Sequence, residues 1–138
     1  MLAHVFSCAV IGLDGVIVEV EVDFGQGLPR MVIVGLPDVA VQESRERVYS
    51  AIKNAGLEYP RKPLTVNLAP ASVHKEGPAY DLPIALGVLI VAHQLQPELL
   101  DGSLVIGYLV LLLGRWKTDP LVEVALLIKV LYARGLLY

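Results

Sequence analysis

From Val18 to Phe24 apolar and acidic residues alternate without a break, with Val18, Val20, Val22 and Phe24 on one side and Glu19, Glu21 and Asp23 on the other. Successive side chains of a strand point to opposite faces, so the run predicts a half-buried strand, opened by a turn at Asp14-Gly15. Ala3 to Ile11 reads as the strand before it. Gly25-Gln26-Gly27-Leu28-Pro29 reads as a hairpin connection to a third strand, Arg30 to Val34. The period then changes. Asp38 is placed to cap a helix from about Val39 to Ala55, with Val41, Val48, Ile52 and Ala55 on its apolar stripe. Glu43, Arg45, Glu46 and Arg47 occupy the opposite face, where Glu43 and Arg47 have the spacing of a solvated ion pair. Asn54-Ala55-Gly56 stops this helix, and Tyr59 to Pro63 is an extended connector.

Branched apolar residues alternate again between Pro63 and Pro70, the pattern of a short strand with punctuated ends. Gly77-Pro78 makes a turn, and Asp81 stands as the N-cap of a helix whose segment Ile84 to Ala92 is apolar on every side, hence central. His93 to Pro97 ends that helix, and Asp101-Gly102 is a turn. Ser103 to Leu113 is one apolar run, read as buried strands, and Val122 to Arg134 has a helical stripe of Val124, Leu127, Ile128, Leu131 and Tyr132. The expected fold class is α/β (α+β), in a single domain.

Composition narrows the function classes. With 138 residues, 55% of them hydrophobic, the chain can build one core but not two ordinary domains. The apolar run from Ser103 is shorter than the roughly 18 to 20 residues that span a bilayer, so no membrane role is expected. A formal net charge of -3 argues against a generally basic nucleic-acid coat while leaving room for a local patch. Cys8 stands alone and cannot form an internal disulfide, and no basic leader precedes it; a reducing, cytoplasmic home is the simpler expectation. Glu19, Glu21 and Asp23 are hard oxygen ligands at period two, but neither a calcium-type loop nor a histidine accompanies them in sequence, so no metal site is expected. No Gly-Lys-Ser or Gly-Lys-Thr follows any glycine-rich stretch, so Gly25 to Pro29 is not a Walker loop.

The stretch Lys75-Glu76-Gly77-Pro78-Ala79-Tyr80-Asp81-Leu82-Pro83-Ile84-Ala85 resembles the signature of the ComM family, bacterial AAA+ ATPases often labelled magnesium-chelatase-like and including YifB proteins. Gly27-Leu28-Pro29, Val34-Gly35-Leu36-Pro37, Glu43-Ser44-Arg45-Glu46-Arg47-Val48, Tyr59-Pro60 and Val66-Asn67-Leu68-Ala69-Pro70 resemble the same family, in the same order. The resemblance implies the family's amino-terminal domain, which is Lon proteolytic-domain-like with a ribosomal-protein-S5-domain-2-like sheet and packed helices. The Lon serine lies in a Gly-Pro-Ser-Ala-Gly turn. Here Gly77-Pro78-Ala79 puts Ala79 in its place, and a methyl group cannot attack a carbonyl. Near the Lon lysine stands Glu123, with Lys129 about two helical turns from it.

The likeness fades after Gly107, and the chain ends at Tyr138, where the family domain would continue; residues 1 to 138 are therefore expected to be one Lon-like domain, incomplete at its C-terminal end and without the ATPase module. The expectation is a non-catalytic domain, not itself an enzyme, that serves assembly of a ComM-type motor and guides DNA during DNA processing and natural transformation (competence). Arg45, Arg47, Arg61, Lys62 and Lys75, with Lys53, are the expected phosphate contacts. Lys75, Glu76, Gly77, Pro78 and Asp81 form the motif itself. The resemblance implies a homo-oligomer through the parent ATPase ring, DNA as partner, and ATP and magnesium as cofactors of the full-length protein rather than of this chain. The alternative is a residual Lon-type serine peptidase using Ser72 or Ser103.

Overall fold

The computed structural model describes residues 1–107. Ser103 to Gly107, expected to open the buried strands, form no strand, and the rest of that run to Leu113, the helix Val122 to Arg134, Glu123 and Lys129 lie outside the described residues. Four strands, β1 (Ala3–Ile11), β2 (Asp14–Phe24), β3 (Met31–Val34) and β4 (Leu64–Ala69), form one sheet in the order β1-β2-β4-β3. Helices α1 (Val39–Gln42), α2 (Ser44–Asn54) and α3 (Asp81–Val91) complete a mixed α+β unit. The core lies where the inner face of the sheet meets α2 and α3. Val5, Val18, Val20, Val22, Leu64, Val66 and Leu68 are buried from the strands, and each contributes on the order of 1.5–3 kcal/mol by leaving water.

All 11 residues of α3 are buried, as the unbroken apolar run predicts. Its backbone comes so close to the sheet that a Cβ on Gly87 would stand 2.5 Å from Val22 Cγ2. Asp81 is the exception to the expected local role. The helix starts there, but the cap position belongs to Tyr80 at the end of a 3-10 turn over Pro78–Tyr80, and the Asp81 side chain points into the protein.

Three local expectations are corrected by tertiary structure. The first hairpin turns at Gly12 and Leu13 rather than Asp14-Gly15, with Ile11 paired to Asp14 and Gly12 at φ 63, the left-handed conformation that tight hairpins require. Gly25 to Pro29 does not close a hairpin, because β4 takes the free edge of β2, and β3 pairs with β4 in parallel. Parallel neighbours need a crossover, which α1 and α2 supply. The long helix is also interrupted at Glu43, where Glu46 N–H turns to the Glu43 carbonyl at 3.1 Å. Arginine side chains take up carbonyls at the break: Arg45 Nε donates to Gln42 O at 3.0 Å, and Arg47 Nη2 to Ala40 O at 2.6 Å.

Among the described residues no helix is long and apolar enough to cross a membrane.

Candidate functional site

The signature stretch is strapped to the end of β3. Lys75 N–H donates to Leu36 O and Asp38 N–H to Lys75 O, both at 3.0 Å, making an isolated parallel bridge between Pro37 and Lys75. Gly35 allows this path: at φ 102 a Cβ there would lie 2.1 Å from Leu68 O. Asp38 caps α1 through Val41 N–H at 2.8 Å, as expected, and its other oxygen accepts from Gly77 N–H at 3.0 Å. One carboxylate thus joins two segments that are 39 residues apart.

Lys75 is 0% exposed, and its Nζ donates to Pro70 O. Burial pushes its ammonium below the usual lysine range. Asp81 is also fully buried; it accepts from Ser44 Oγ, from Arg47 Nε at 2.6 Å and from Arg47 Nη2 at 3.1 Å. The hydrogen bond to Asp81 holds the Arg47 guanidinium above its ordinary range, opposed by burial and helped by Asp81 and Glu43 charge. The expected Glu43–Arg47 pair exists at 3.6 Å, but it is secondary to this inner contact. Two of the six expected phosphate contacts, Arg47 and Lys75, therefore belong to the scaffold.

Ala79 sits in the 3-10 turn immediately before α3, and Gly107 closes that mouth: Gly107 N–H donates to Ala79 O and Leu82 N–H to Gly107 O, each at 3.0 Å. The helix-start amide of Leu82 thus meets the chain's own carbonyl instead of facing a ligand. Glu76 is exposed, with His74 Nε2 3.8 Å away. Ser72 is exposed in a loop, and Ser103 is buried with an Oγ that has no hydrogen-bond partner. Neither serine is supplied with a base among the contacts described.

The other four expected cations come together. Arg45, Lys53, Arg61 and Lys62 line an open groove of about 670 Å³ with Arg30, and all five are exposed. Among the described residues Glu46 is the one carboxylate in its wall. Lys53, Arg61 and Lys62 continue into an adjoining groove of about 530 Å³ that reaches His93 and Gln94 beyond α3. Tyr49 and Tyr59 meet edge to face in the first groove, with ring centres 4.9 Å apart, and Lys53 Nζ lies 5.7 Å from the Tyr49 centroid. Burial first, then the charge of Glu46 and proximity of Tyr49, push the Tyr59 hydroxyl up to about 12, so it is neutral at physiological pH.

Sequence reasoning missed Arg30 and the aromatic pair. The spacing Arg45, Tyr49, Lys53, one residue in four on a helix, was a readable signal for one face; Arg30 reaches the groove through the sheet order alone. It also missed His4, whose Nδ1 pairs with Glu19 and whose ligand atoms lie within 4.8 Å of those of Glu19 and Glu21. Glu21 is held in turn by Asn67 Nδ2 at 2.8 Å. A histidine does accompany these carboxylates, brought across by the register that pairs His4 with Glu21.

A family model described as subunit ChlI of Mg-chelatase matches residues 20–129. The uncharacterized protein YifB of Escherichia coli (strain K12) is 46% identical over 110 residues, which cover 80% of this chain and 22% of that protein. The competence protein ComM of Haemophilus influenzae is 48% identical over 94 residues, covering 68% of this chain and 18% of that protein. The chain thus spans about a fifth of the length of these curated relatives.

Proposed function

We propose a role for this chain from one premise: it belongs to the family of the Mg-chelatase subunit ChlI that includes the YifB and ComM proteins. On that footing it is a non-catalytic, Lon-like domain of a ComM-type AAA+ ATPase, which helps to assemble the motor and guides DNA in DNA processing and natural transformation. The observation that carries this reading is the groove where, among the described residues, five exposed cations face a single carboxylate. In a chain of net charge -3, such a concentration of one sign supports reading the groove as a local phosphate-binding surface and not a general basic coat. Ala79 supports the non-catalytic part, since the turn in which a Lon-type serine would stand carries no oxygen.

Oligomerisation through a motor ring and a cytoplasmic setting belong to the same proposal for the whole protein. ATP and magnesium would be held elsewhere in that protein. The glycine-rich connector Gly25 to Pro29 leads from one strand to another and not into a helix N-terminus, which is the arrangement a phosphate loop needs.

Fluorescence anisotropy of a labelled DNA oligonucleotide, titrated with the full chain at several salt concentrations, tests the groove. Affinity should fall with salt, and Arg61→Ala with Lys62→Ala should reduce the slope of log K against log salt by about 1.4 for a single strand. Salt-insensitive binding, or none, would count against DNA guidance by this domain. A serine-reactive probe with unfolded casein is expected to give neither labelling nor turnover; labelling of Ser72 or Ser103 with cleavage would promote the peptidase alternative.

A further inference from the structure

We infer that the groove takes a single DNA strand with its bases unstacked, Tyr49 serving as the platform for a base and the surrounding cations holding the phosphates on either side. The inference rests on the DNA reading above and specifies the form of the strand. Phosphate attraction alone would need only the cations, and a duplex presents little else to a surface, because its base faces are hidden in its own stack. The groove offers more than charge. Tyr49 is 45% exposed in the middle of the helical stripe Arg45, Tyr49, Lys53, outside the buried core.

The ring is also held in place. Tyr59, half-buried on the connector, meets it at 71° with centres 4.9 Å apart, which restricts the ring before any ligand arrives. Lys53 Nζ, 5.7 Å from the Tyr49 centroid, can pass to a phosphate while a base takes the ring. Arg30 and Arg45 approach from the β3 and α2 side, Arg61 and Lys62 from the connector. An aromatic face flanked by cations is the combination that binds single strands without regard to sequence.

The test compares a labelled oligothymidylate with a duplex hairpin of equal phosphate number, on the full chain and on Tyr49→Ala, Tyr49→Leu and Tyr49→Phe. Expected results are tighter binding of the single strand and a loss of about 5- to 150-fold for it in Tyr49→Ala and Tyr49→Leu. The salt slope and the duplex affinity should be unchanged in both, and Tyr49→Phe should retain wild-type binding. Leucine keeps apolar packing against Tyr59 without a π face, so it separates stacking from loss of fold. Equal losses on the duplex, no loss on the single strand, or a Tyr49→Phe variant as weak as Tyr49→Ala would each overturn the inference. If the tyrosine variants bind normally while Arg61→Ala with Lys62→Ala still lowers the salt slope, the DNA reading stands and this inference alone fails.

Discussion

Arg47 is bound to the first residue of α3, Lys75 is closed in beside Pro70, Arg61 and Lys62 lie on the rim of the groove, and these four cations serve opposite ends. Arg47 has a 19% exposed side chain and is spent on Asp81, while Lys75 is closed off completely. Arg61 and Lys62 are exposed, Lys62 with its Nζ 4.8 Å from the centre of the Phe24 ring, and an exposed cation adds little to folding and stays available to a partner. The contrast teaches that residue type and proximity in sequence do not define a binding surface; removal from water does. A buried charge needs its own counter-group, and that need assigns it to the scaffold.

The largest expected effect comes from breaking the inner side of this contrast. Asp81→Ala strands the Arg47 guanidinium and frees the Ser44 hydroxyl, and should destabilise the fold by about 3–5 kcal/mol in urea denaturation. A loss below 1 kcal/mol would mean that Arg47 is solvated after all. Asp38→Ala removes acceptors from Val41 and Gly77 and is expected to cost about 0.5–2 kcal/mol, measured in the same way.

A smaller, pH-dependent effect isolates Lys75. Its folded pKa is depressed by burial, so between that value and its ordinary one the unfolded chain holds more protons than the folded one, and stability must rise with pH. Unfolding free energies should therefore climb as pH rises toward the ordinary lysine value, and Lys75→Met should flatten the climb. Above about pH 10 the sign reverses, because burial raises the pKa of Tyr59 and Tyr80 and the unfolded tyrosines ionise first. An unaltered slope in the methionine variant would place the titration elsewhere. Least of all, Arg61→Ala with Lys62→Ala should move stability by no more than about 0.5 kcal/mol, although it acts on DNA binding; a larger drop in the melting curve would erase the distinction between rim and scaffold.

Much of the fold was legible along the chain. Val18 to Val22 and Leu64 to Leu68 alternate because only one face of each strand meets the core, and Ile84 to Val91 lack a polar side because the helix has no solvent-facing one. Four of the expected phosphate contacts, Arg45, Lys53, Arg61 and Lys62, do share a groove. What could not be read depended on partners remote in sequence. The order β1-β2-β4-β3 is decided by which strand takes the edge of β2, and the inward course of Arg47 depends on a carboxylate 34 residues away. His4 was hidden by a turn placed two residues late, because the register of a hairpin follows from its turn, and the displaced turn sets His4 against a different neighbour.

The close approach of Gly87 to Val22 links two positions that would have to vary together. Any side chain at 87 would drive into the valine methyl, so a relative carrying alanine there should have a smaller residue at 22, or a helix lifted from the sheet. Pairing Gly87→Ala with Val22→Ala should restore what the first change alone takes away, a compensation visible in thermal melts and, across relatives, in matched substitutions.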